Sequence, residues 1–316
     1  MVSRRALGFF ALASVFFGGT FVAAKAGLEF FPPLLFVALR FDVAAAVLAV
    51  YVVATTPRSD LLPKTRGDLL GILATGGLAI GLANALLFVG QQYASSGVGA
   101  IVFSLNPILT PVFAALLLAD ERLSARGALG MAIGLVGVAL VIDPNPANLL
   151  GGDAFGKAIL FAGAASGALG SVLIRWADGD LSSTVRTAWA LPVSALMTHA
   201  FSWGAGESAA AISWTPGAFL ALGYVGIFAG AIAYIAYFGL LDEVGAIQGN
   251  LVFYVVPVVA TLGGAALLGE SVSTLTLVGF ATIFAGFAVL GSESIETEVE
   301  RVWKLMVARE ASTESV

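Results

Sequence analysis

The chain contains no cysteine and only one histidine, His199. Without cysteine it cannot form disulfide bonds, use a thiolate nucleophile or bind a metal through sulfur, and a single histidine cannot build a histidine cluster. The sequence also lacks a GxxxxGK[ST] loop, so we do not expect ATP to drive the protein directly. These absences predict a protein with no catalytic residues, no metal, no cofactor and no enzymatic activity.

Charged residues are scarce. They make up 11% of the 316 residues while hydrophobic residues make up 59%, whereas a typical soluble domain carries about 25% charged residues. The mean hydropathy is +0.97. A soluble fold cannot bury this much apolar surface, so lipid must solvate most of the protein. Six glutamates between Glu293 and Glu314 predict an acidic cytoplasmic tail over 292–316, and the charge pattern does not indicate nucleic-acid binding.

Long apolar runs recur along the chain, and each approaches the roughly 20 residues that a helix needs to cross a bilayer. Polar or proline-rich segments separate them. The first run is too long for the apolar core of a signal peptide. The predicted fold is therefore an all-α membrane protein with ten transmembrane helices, near 6–27, 34–54, 68–92, 95–119, 125–142, 155–174, 187–205, 216–240, 246–268 and 275–291.

The basic residues predict the orientation of these helices, because lysine and arginine in short loops favour the cytoplasm. With the N-terminus inside, only Lys25 and Lys157 lie outside and Arg40 lies within a helix. The remaining 12 of the 15 basic residues are then cytoplasmic. We therefore expect a multi-pass protein of the cytoplasmic (plasma) membrane with both termini in the cytoplasm.

The two halves of the chain resemble each other, which indicates a duplication of five helices. Because five is odd, the second copy must enter the membrane from the opposite side, as in the inverted repeats of many secondary transporters. The predicted repeats span 6–143 and 153–291. The matches are Val102-Phe103 and Pro107 with Val252-Phe253 and Pro257 at an offset of 150, then Glu121, Ser124, Gly130 and Gly137 with Glu270, Ser273, Gly279 and Gly286 at an offset of 149.

Several short stretches, in order, resemble the drug/metabolite transporter superfamily, specifically its EamA-type transporters. They are Phe17-Gly18-Gly19-Thr20-Phe21, Ala38-Leu39-Arg40-Phe41, Gln92 to Gly97, Ser104-Leu105-Asn106-Pro107, and Glu121-Arg122-Leu123-Ser124, which recurs as Glu270-Ser271-Val272-Ser273. The resemblance spans about residues 6 to 291. It implies ten helices around a central cavity lined by helices 1–4 and 6–9, with helices 5 and 10 as outer scaffold.

Arg40 is the first candidate for substrate binding. It lies about 9 Å into helix 2 at 1.5 Å per residue, where a charge facing lipid costs about 2.5–3.5 kcal/mol. Asp42 points away from it, because residues two apart do not share a helix face. Arg40 could bind an anionic group such as a substrate carboxylate. The alternative is a structural arginine that bonds carbonyls of a neighbouring helix or reaches towards the membrane surface.

Polar side chains within apolar helices give the remaining candidates. Each needs a partner, which either a substrate or a neighbouring helix can supply. A tyrosine can also stack on a ligand or pack within the bundle. These substrate-binding candidates are Asn84, Asn106, Tyr234, Gln248, Asn250 and Tyr254.

Proline and glycine mark two further features. Pro107 and Pro257 predict helix breaks at matching places in the repeats, which is a sign of a binding site in transporters, although packing alone can require a kink. Helix 5 carries Gly127, Gly130, Gly134 and Gly137 at small-xxx-small spacing. This pattern predicts close helix packing, with a dimer contact as the alternative.

Together these features predict a secondary transporter that moves small polar metabolites, amino acids or related organic anions, by alternating access. The alternatives are a membrane sensor or enzyme on the same helical scaffold, or a passive channel. The expected partners are the small-molecule substrate and the lipid bilayer, with no nucleic acid, and the protein is expected to be a monomer or a homodimer.

Overall fold

A computed structural model describes residues 3–118, 125–142, 152–249, 251–286 and 288–289. Within these residues the chain forms helices and turns, and contains no strand. The helices are α1 (Arg4–Gly27), α2 (Pro33–Thr55), α3 (Arg66–Gly90), α4 (Ser96–Leu117), α5 (Ala125–Ile142), α6 (Gly152–Ala177), α7 (Ser183–Gly204), α8 (216–249), α9 (Val252–Leu268) and α10 (Thr274–Gly286).

Six helices in the described part of the chain are long and apolar enough to cross a membrane. They comprise α1, α2, α3, α4, residues Ala154–Ala177 of α6 and residues Pro216–Val244 of α8. Most of α5, together with α9 and α10, forms shorter apolar helices. Helix α7 has 22 residues but includes several serines and threonines, an arginine and a histidine. The lengths match the hydrocarbon thickness that helices must span.

The boundary between α8 and α9 differs from the prediction. The sequence suggested that one helix ends at 240 and the next begins at 246, but α8 continues to Gly249 and α9 begins at Val252. The adjacent acids Asp242 and Glu243 remain helical. Glu243 accepts a hydrogen bond of 2.6 Å from the Ser3 hydroxyl and pairs with Arg5 at 3.1 Å. These acids therefore lie beside the start of α1, and do not mark a turn.

Two helices widen at corresponding places. Residues Ala74–Leu82 of α3 and Tyr224–Ile232 of α8 are π-helical, and the two segments are 150 residues apart, the main offset of the sequence repeat. Each contains glycines that let a neighbour approach closely, since a Cβ at Gly76 would overlap α7 and one at Gly226 would overlap α2. The wide part of α3 thus packs on α7, and the wide part of α8 packs on α2.

Acidic side chains connect the two halves crosswise at helix N-termini, whose first N–H groups have no partner within the helix. Glu207, which follows α7, accepts hydrogen bonds from the backbone N–H groups of Leu34 at 3.1 Å and Leu35 at 2.7 Å in α2. In the first half, Asp68 accepts bonds from the N–H groups of Asp180 at 2.8 Å and Leu181 at 3.0 Å, just before α7. The halves therefore hold each other's second helix.

Helices α5 and α10 cross at glycines. A Cβ at Gly137 would lie 2.7 Å from the carbonyl oxygen of Gly279, and one at Gly279 would lie 2.7 Å from the oxygen of Gly137. The related contact joins Gly286 to Gly130, at 2.6 Å. The small-xxx-small spacing in α5 therefore brings its backbone against α10, as close packing requires.

Candidate functional site

A cavity of about 540 Å³ lies in the middle of the bundle. Its lining residues come from α1, α2, α3, α4, α6, α7, α8 and α9, and none comes from the described parts of α5 or α10. This is the set of helices that the family resemblance implied. The polar lining residues are Thr20, Arg40, Thr75, Asn84, Ser104, Asn106, Thr110, Ser171, Arg186, Thr187, Tyr234 and Tyr237.

Arg40 lies on the wall of this cavity and is only 3% exposed. Its Nη1 donates a hydrogen bond of 3.1 Å to the Oδ1 atom of Asn84 in α3. The guanidinium carbon lies 5.1 Å from the ring centre of Phe41 and 5.4 Å from that of Phe88, within the range of cation–π attraction. The buried Nε atom has no hydrogen-bond partner. A buried donor without a partner is costly, and a ligand in the cavity could satisfy it.

Three further predicted residues share the cavity with Arg40. Asn84 donates from Nδ2 to the carbonyl of Ile80 at 2.7 Å, which leaves its Oδ1 for Arg40. Asn106 lies on α4, where the Thr110 hydroxyl donates to its backbone oxygen at 2.8 Å. Tyr234 on α8 meets the ring of Phe17 edge-on, with centres 5.2 Å apart. The cavity therefore combines amide and hydroxyl groups with aromatic walls.

The predicted break in α4 occurs beside the cavity. The helix is interrupted at residues 104–105, and its second part begins at Asn106 with Pro107 in the first turn. Proline is suited to this position because it has no N–H to leave unpaired. The second predicted break, at Pro257, is not present, because α9 continues through this residue. Pro257 still leaves the carbonyl of Phe253, which lines the cavity, without its usual helical donor.

The other candidates lie elsewhere or outside the described residues. Tyr254 does not line the cavity and packs against Phe284 with ring centres 5.2 Å apart. Its neighbours Phe253 and Val256 do line it, because successive helical residues point in directions about 100° apart. The side chain of Gln248 and the whole of Asn250 lie outside the described residues, so both remain predictions.

Some cavity residues were missed by sequence reasoning. Arg186 and Thr187 begin α7 and line the cavity, together with Ser171 of α6 and Tyr237 of α8. The sequence placed Arg186 among the cytoplasmic basic residues and favoured packing for Tyr237. Position alone could not distinguish a charge that faces bulk water from one that faces an internal cavity.

The two ends of the cavity differ. It reaches the end of the bundle where α6 finishes and α7 begins, because Ile174 and Arg186 line it there. At the opposite end, Lys25 of α1 donates to the carbonyl of Gln91 at 2.7 Å, and Gln91, which is fully buried, donates to the carbonyl of Phe21 at 3.1 Å. These contacts tie α1 to the end of α3.

Glu270 adds a second connection at the same end. Both of its carboxylate oxygens lie 3.0 Å from the backbone nitrogen of Ser96, the first residue of α4, and one accepts from the Ser96 hydroxyl at 3.2 Å. A carboxylate at a helix N-terminus is also favoured by the helix dipole. The segment after α9 is therefore bonded to the start of α4.

Two other polar features lie apart from this cavity. A larger space of about 1130 Å³ adjoins α1, α8 and α9, but its wall includes the exposed residues Leu220 and Leu267, so it opens on the outside of the bundle. Asp42 and His199 form a contact of 2.8 Å between α2 and α7, with both side chains partly exposed. Neither of these two side chains lines the central cavity.

The apolar helices and the enclosed polar cavity define a multi-pass membrane protein with an internal compartment for a solute. The model of the EamA-like transporter family matches residues 4–143 and again residues 154–292. The chain therefore belongs to the EamA-like transporter family, and the protein is a transporter.

Relatives and a solved structure agree with this assignment. The chain is 30% identical to the "Uncharacterized inner membrane transporter YedA" of Escherichia coli strain K12, over 87% of this chain and 86% of that protein. It is 28% identical to the "Uncharacterized transporter YyaM" of Bacillus subtilis strain 168, over 86% of this chain and 89% of that protein. A crystal structure with 23% identity has a TM-score of 0.63 over 94% of this chain and 100% of that one, and so shares the fold.

Proposed function

We propose that the protein is a secondary transporter that moves small polar metabolites, amino acids or related organic anions, across the cytoplasmic membrane by alternating access. The observation that carries this proposal is Arg40, a buried cation that lines a cavity of about 540 Å³ and has a donor without a partner. Cavities of about 300–1,000 Å³ are typical for small-molecule ligands. An anionic group of the substrate would satisfy the guanidinium.

We further propose ten transmembrane helices in two inverted repeats, over 6–143 and 153–291, followed by the acidic tail over 292–316. The two separate matches to the family model support this arrangement. So do the π-helical segments 150 residues apart and the reciprocal glycine contacts between α5 and α10. Each of these features relates one half of the chain to the other.

The proposed orientation places both termini in the cytoplasm. A cysteine at Ser59 should then be labelled only from inside the cell, and one at Ala210 from outside, because these exposed loops lie at opposite ends of α2 and α7. The native chain contains no cysteine that would interfere. Labelling of Ser59→Cys by an impermeant reagent added outside would contradict the orientation.

Alternating access would use the difference between the two ends of the cavity. In the proposed orientation the cavity extends towards the cytoplasm at Arg186, while Glu270 and Lys25 bond the outer ends of the helices together. This arrangement supports a state open to the cytoplasm. Rocking of one repeat against the other would reverse the two ends, as in other inverted-repeat transporters.

The alternatives predict different behaviour. An enzyme needs clustered catalytic groups, and the described residues contain no group of three or more His, Asp or Glu side chains placed to hold a metal. A passive channel predicts flux that does not saturate, and a sensor predicts binding without flux. Whether the functional unit is a monomer or a homodimer does not change these expectations.

The decisive test is uptake by proteoliposomes that contain the purified protein. A pooled, labelled library of small metabolites should include at least one solute whose flux saturates and is competed by the unlabelled compound. Empty liposomes and liposomes with an unrelated membrane protein are the controls. Absence of any saturable flux across the library would contradict the proposed function.

A further inference from the structure

The charged groups of the central cavity are all of one sign among its described lining residues. They are Arg40 on α2 and Arg186 on α7, with no aspartate or glutamate beside them. Two guanidinium groups without an acid in a low-dielectric space create a positive potential, and such a potential attracts anions and repels cations. The chemistry of the cavity therefore bears on the net charge of the solute.

Arg40 lacks a carboxylate partner. Its printed contacts are the neutral amide of Asn84 and the rings of Phe41 and Phe88, and no described carboxylate lies within 4.0 Å. With a residue exposure of 3% it also has little access to water. Its positive charge is therefore partly shielded by dipoles and rings but is not neutralised.

Arg186 lies near the wider end of the cavity in a position that does not favour a cation. It sits in the first turns of α7, where the helix dipole repels positive charge. Its Nη2 lies 3.3 Å from the Ser183 hydroxyl, and its Nε is buried without a partner. Its Cδ packs beside Gly71 of α3, 3.3 Å from where a Cβ would lie. The side chain is thus fixed along the wall with an unsatisfied donor.

Asp68, the acid one helical turn before Gly71, does not neutralise Arg186. Its Oδ1 accepts the N–H groups of Asp180 and Leu181, and its Oδ2 accepts those of Lys64 and Thr65, all within 3.0 Å. All four donors are main-chain groups that would be unsatisfied without it. Asp68 therefore holds the chain entry to α7 and forms no ion pair with Arg186.

The two arginines lie at different depths. Arg186 contacts α3 at Gly71, while Arg40 contacts it at Asn84. These positions are 13 residues apart, which is about 20 Å at 1.5 Å per residue. A small solute cannot bridge that distance, so the two guanidinium groups would meet its anionic group one after the other.

We propose that the cavity selects solutes of net negative charge, small organic acids in preference to zwitterionic amino acids or amines. Arg186 receives the anionic group near the cytoplasmic opening, and Arg40 binds it deeper in the cavity. The aromatic walls formed by Phe17, Tyr234 and Phe253 contact the uncharged part of the solute. An ammonium group would find no carboxylate among the described lining residues. This inference rests on the proposed transport function and narrows its substrate class.

Binding can be tested separately from transport. The purified protein is melted in detergent at constant ionic strength with four pools of similar molecular size: short mono- and dicarboxylic acids, zwitterionic amino acids, amines, and uncharged polyols. Only the carboxylic-acid pool should raise the melting temperature, because only its members bind the folded cavity with a net negative charge. Equal or greater stabilisation by the amino-acid or amine pool, or no stabilisation by the acids, would overturn the proposal.

The role of Arg186 is tested with the acid that stabilises most. Arg186→Gln should raise its half-saturating concentration up to about tenfold, with the effect shrinking at high salt because the site is partly solvated. Arg186→Lys, which keeps the charge, should retain most of the affinity. Arg58→Gln, an exposed change on the same side of the membrane, should have no effect. If Arg186→Gln and Arg58→Gln bind the acid equally well, Arg186 is not part of the anion path.

The two proposals can fail independently. Binding of acids without saturable flux would remove the transport proposal and leave the anion site. Saturable flux of zwitterions or amines that excludes acids would leave transport and remove the anion selectivity.

Discussion

Glu270 should control whether the outer end of the cavity stays closed. Its carboxylate accepts from the backbone nitrogen and the hydroxyl of Ser96 at 3.0–3.2 Å. A hydrogen bond to a charged group contributes about 1.5–3 kcal/mol net. If these bonds exist only when this end is closed, Glu270→Ala should shift the equilibrium towards the outward-open state by about 10- to 150-fold.

The shift can be measured by accessibility. A single cysteine at Thr20, which lines the cavity, is exposed to an impermeant thiol reagent added outside, and its labelling rate is compared with and without Glu270→Ala. The rate should rise in proportion to the population of the outward-open state. Glu29→Ala, an exposed acid at the end of α1, serves as the control and should leave the rate unchanged.

One result would refute this reasoning. If Glu270→Ala leaves labelling from outside unchanged while the same cysteine still reacts from the cytoplasmic side, the protein is folded and the cavity is accessible. The contact between Glu270 and Ser96 would then stabilise the fold without closing the cavity.

Two further predictions concern the packing of the bundle. Glu207→Gln removes the charge that accepts the N–H groups of Leu34 and Leu35, so thermal melting in detergent should show a loss of about 1–3 kcal/mol, while Glu29→Gln should change little; equal melting of the two would disprove the capping role. Gly137→Ala places a Cβ against the backbone of α10 and should cost about 1–3 kcal/mol. Gly8→Ala, where a Cβ meets nothing within 4 Å, should be neutral or stabilising, and similar losses in both variants would argue against the close crossing.

Sequence reasoning worked best where a polar group interrupts an apolar helix. Arg40, Asn84, Asn106 and Tyr234 lie in such helices, and the structure brings all four to one cavity. The physical reason is general: a polar group in a membrane helix needs a protein or ligand partner, so it turns inward. The same reasoning placed a break beside Pro107, where a missing N–H limits the helix.

The misses have equally specific causes. Tyr254 was a candidate because of its depth, but depth does not determine helical phase, and one residue's rotation moves a side chain off the cavity wall. Two adjacent acids suggested a turn near Asp242, yet acids at a membrane surface are compatible with a continuing helix. Arg186 near a helix end resembles any cytoplasmic arginine, since its direction depends on how α7 packs on α3.

Substitution of Arg40 tests most directly whether this cavity binds the transported solute. Arg40→Lys keeps the charge but loses the planar fork, so transport should weaken without vanishing. Arg40→Gln removes the charge and should raise the half-saturation concentration of the solute strongly, by about 10- to 100-fold for a lost charged hydrogen bond. The decisive measurement is this concentration, determined in proteoliposomes alongside thermal melting for both variants. Unchanged half-saturation with altered melting would make Arg40 a structural residue and contradict the assignment of the site.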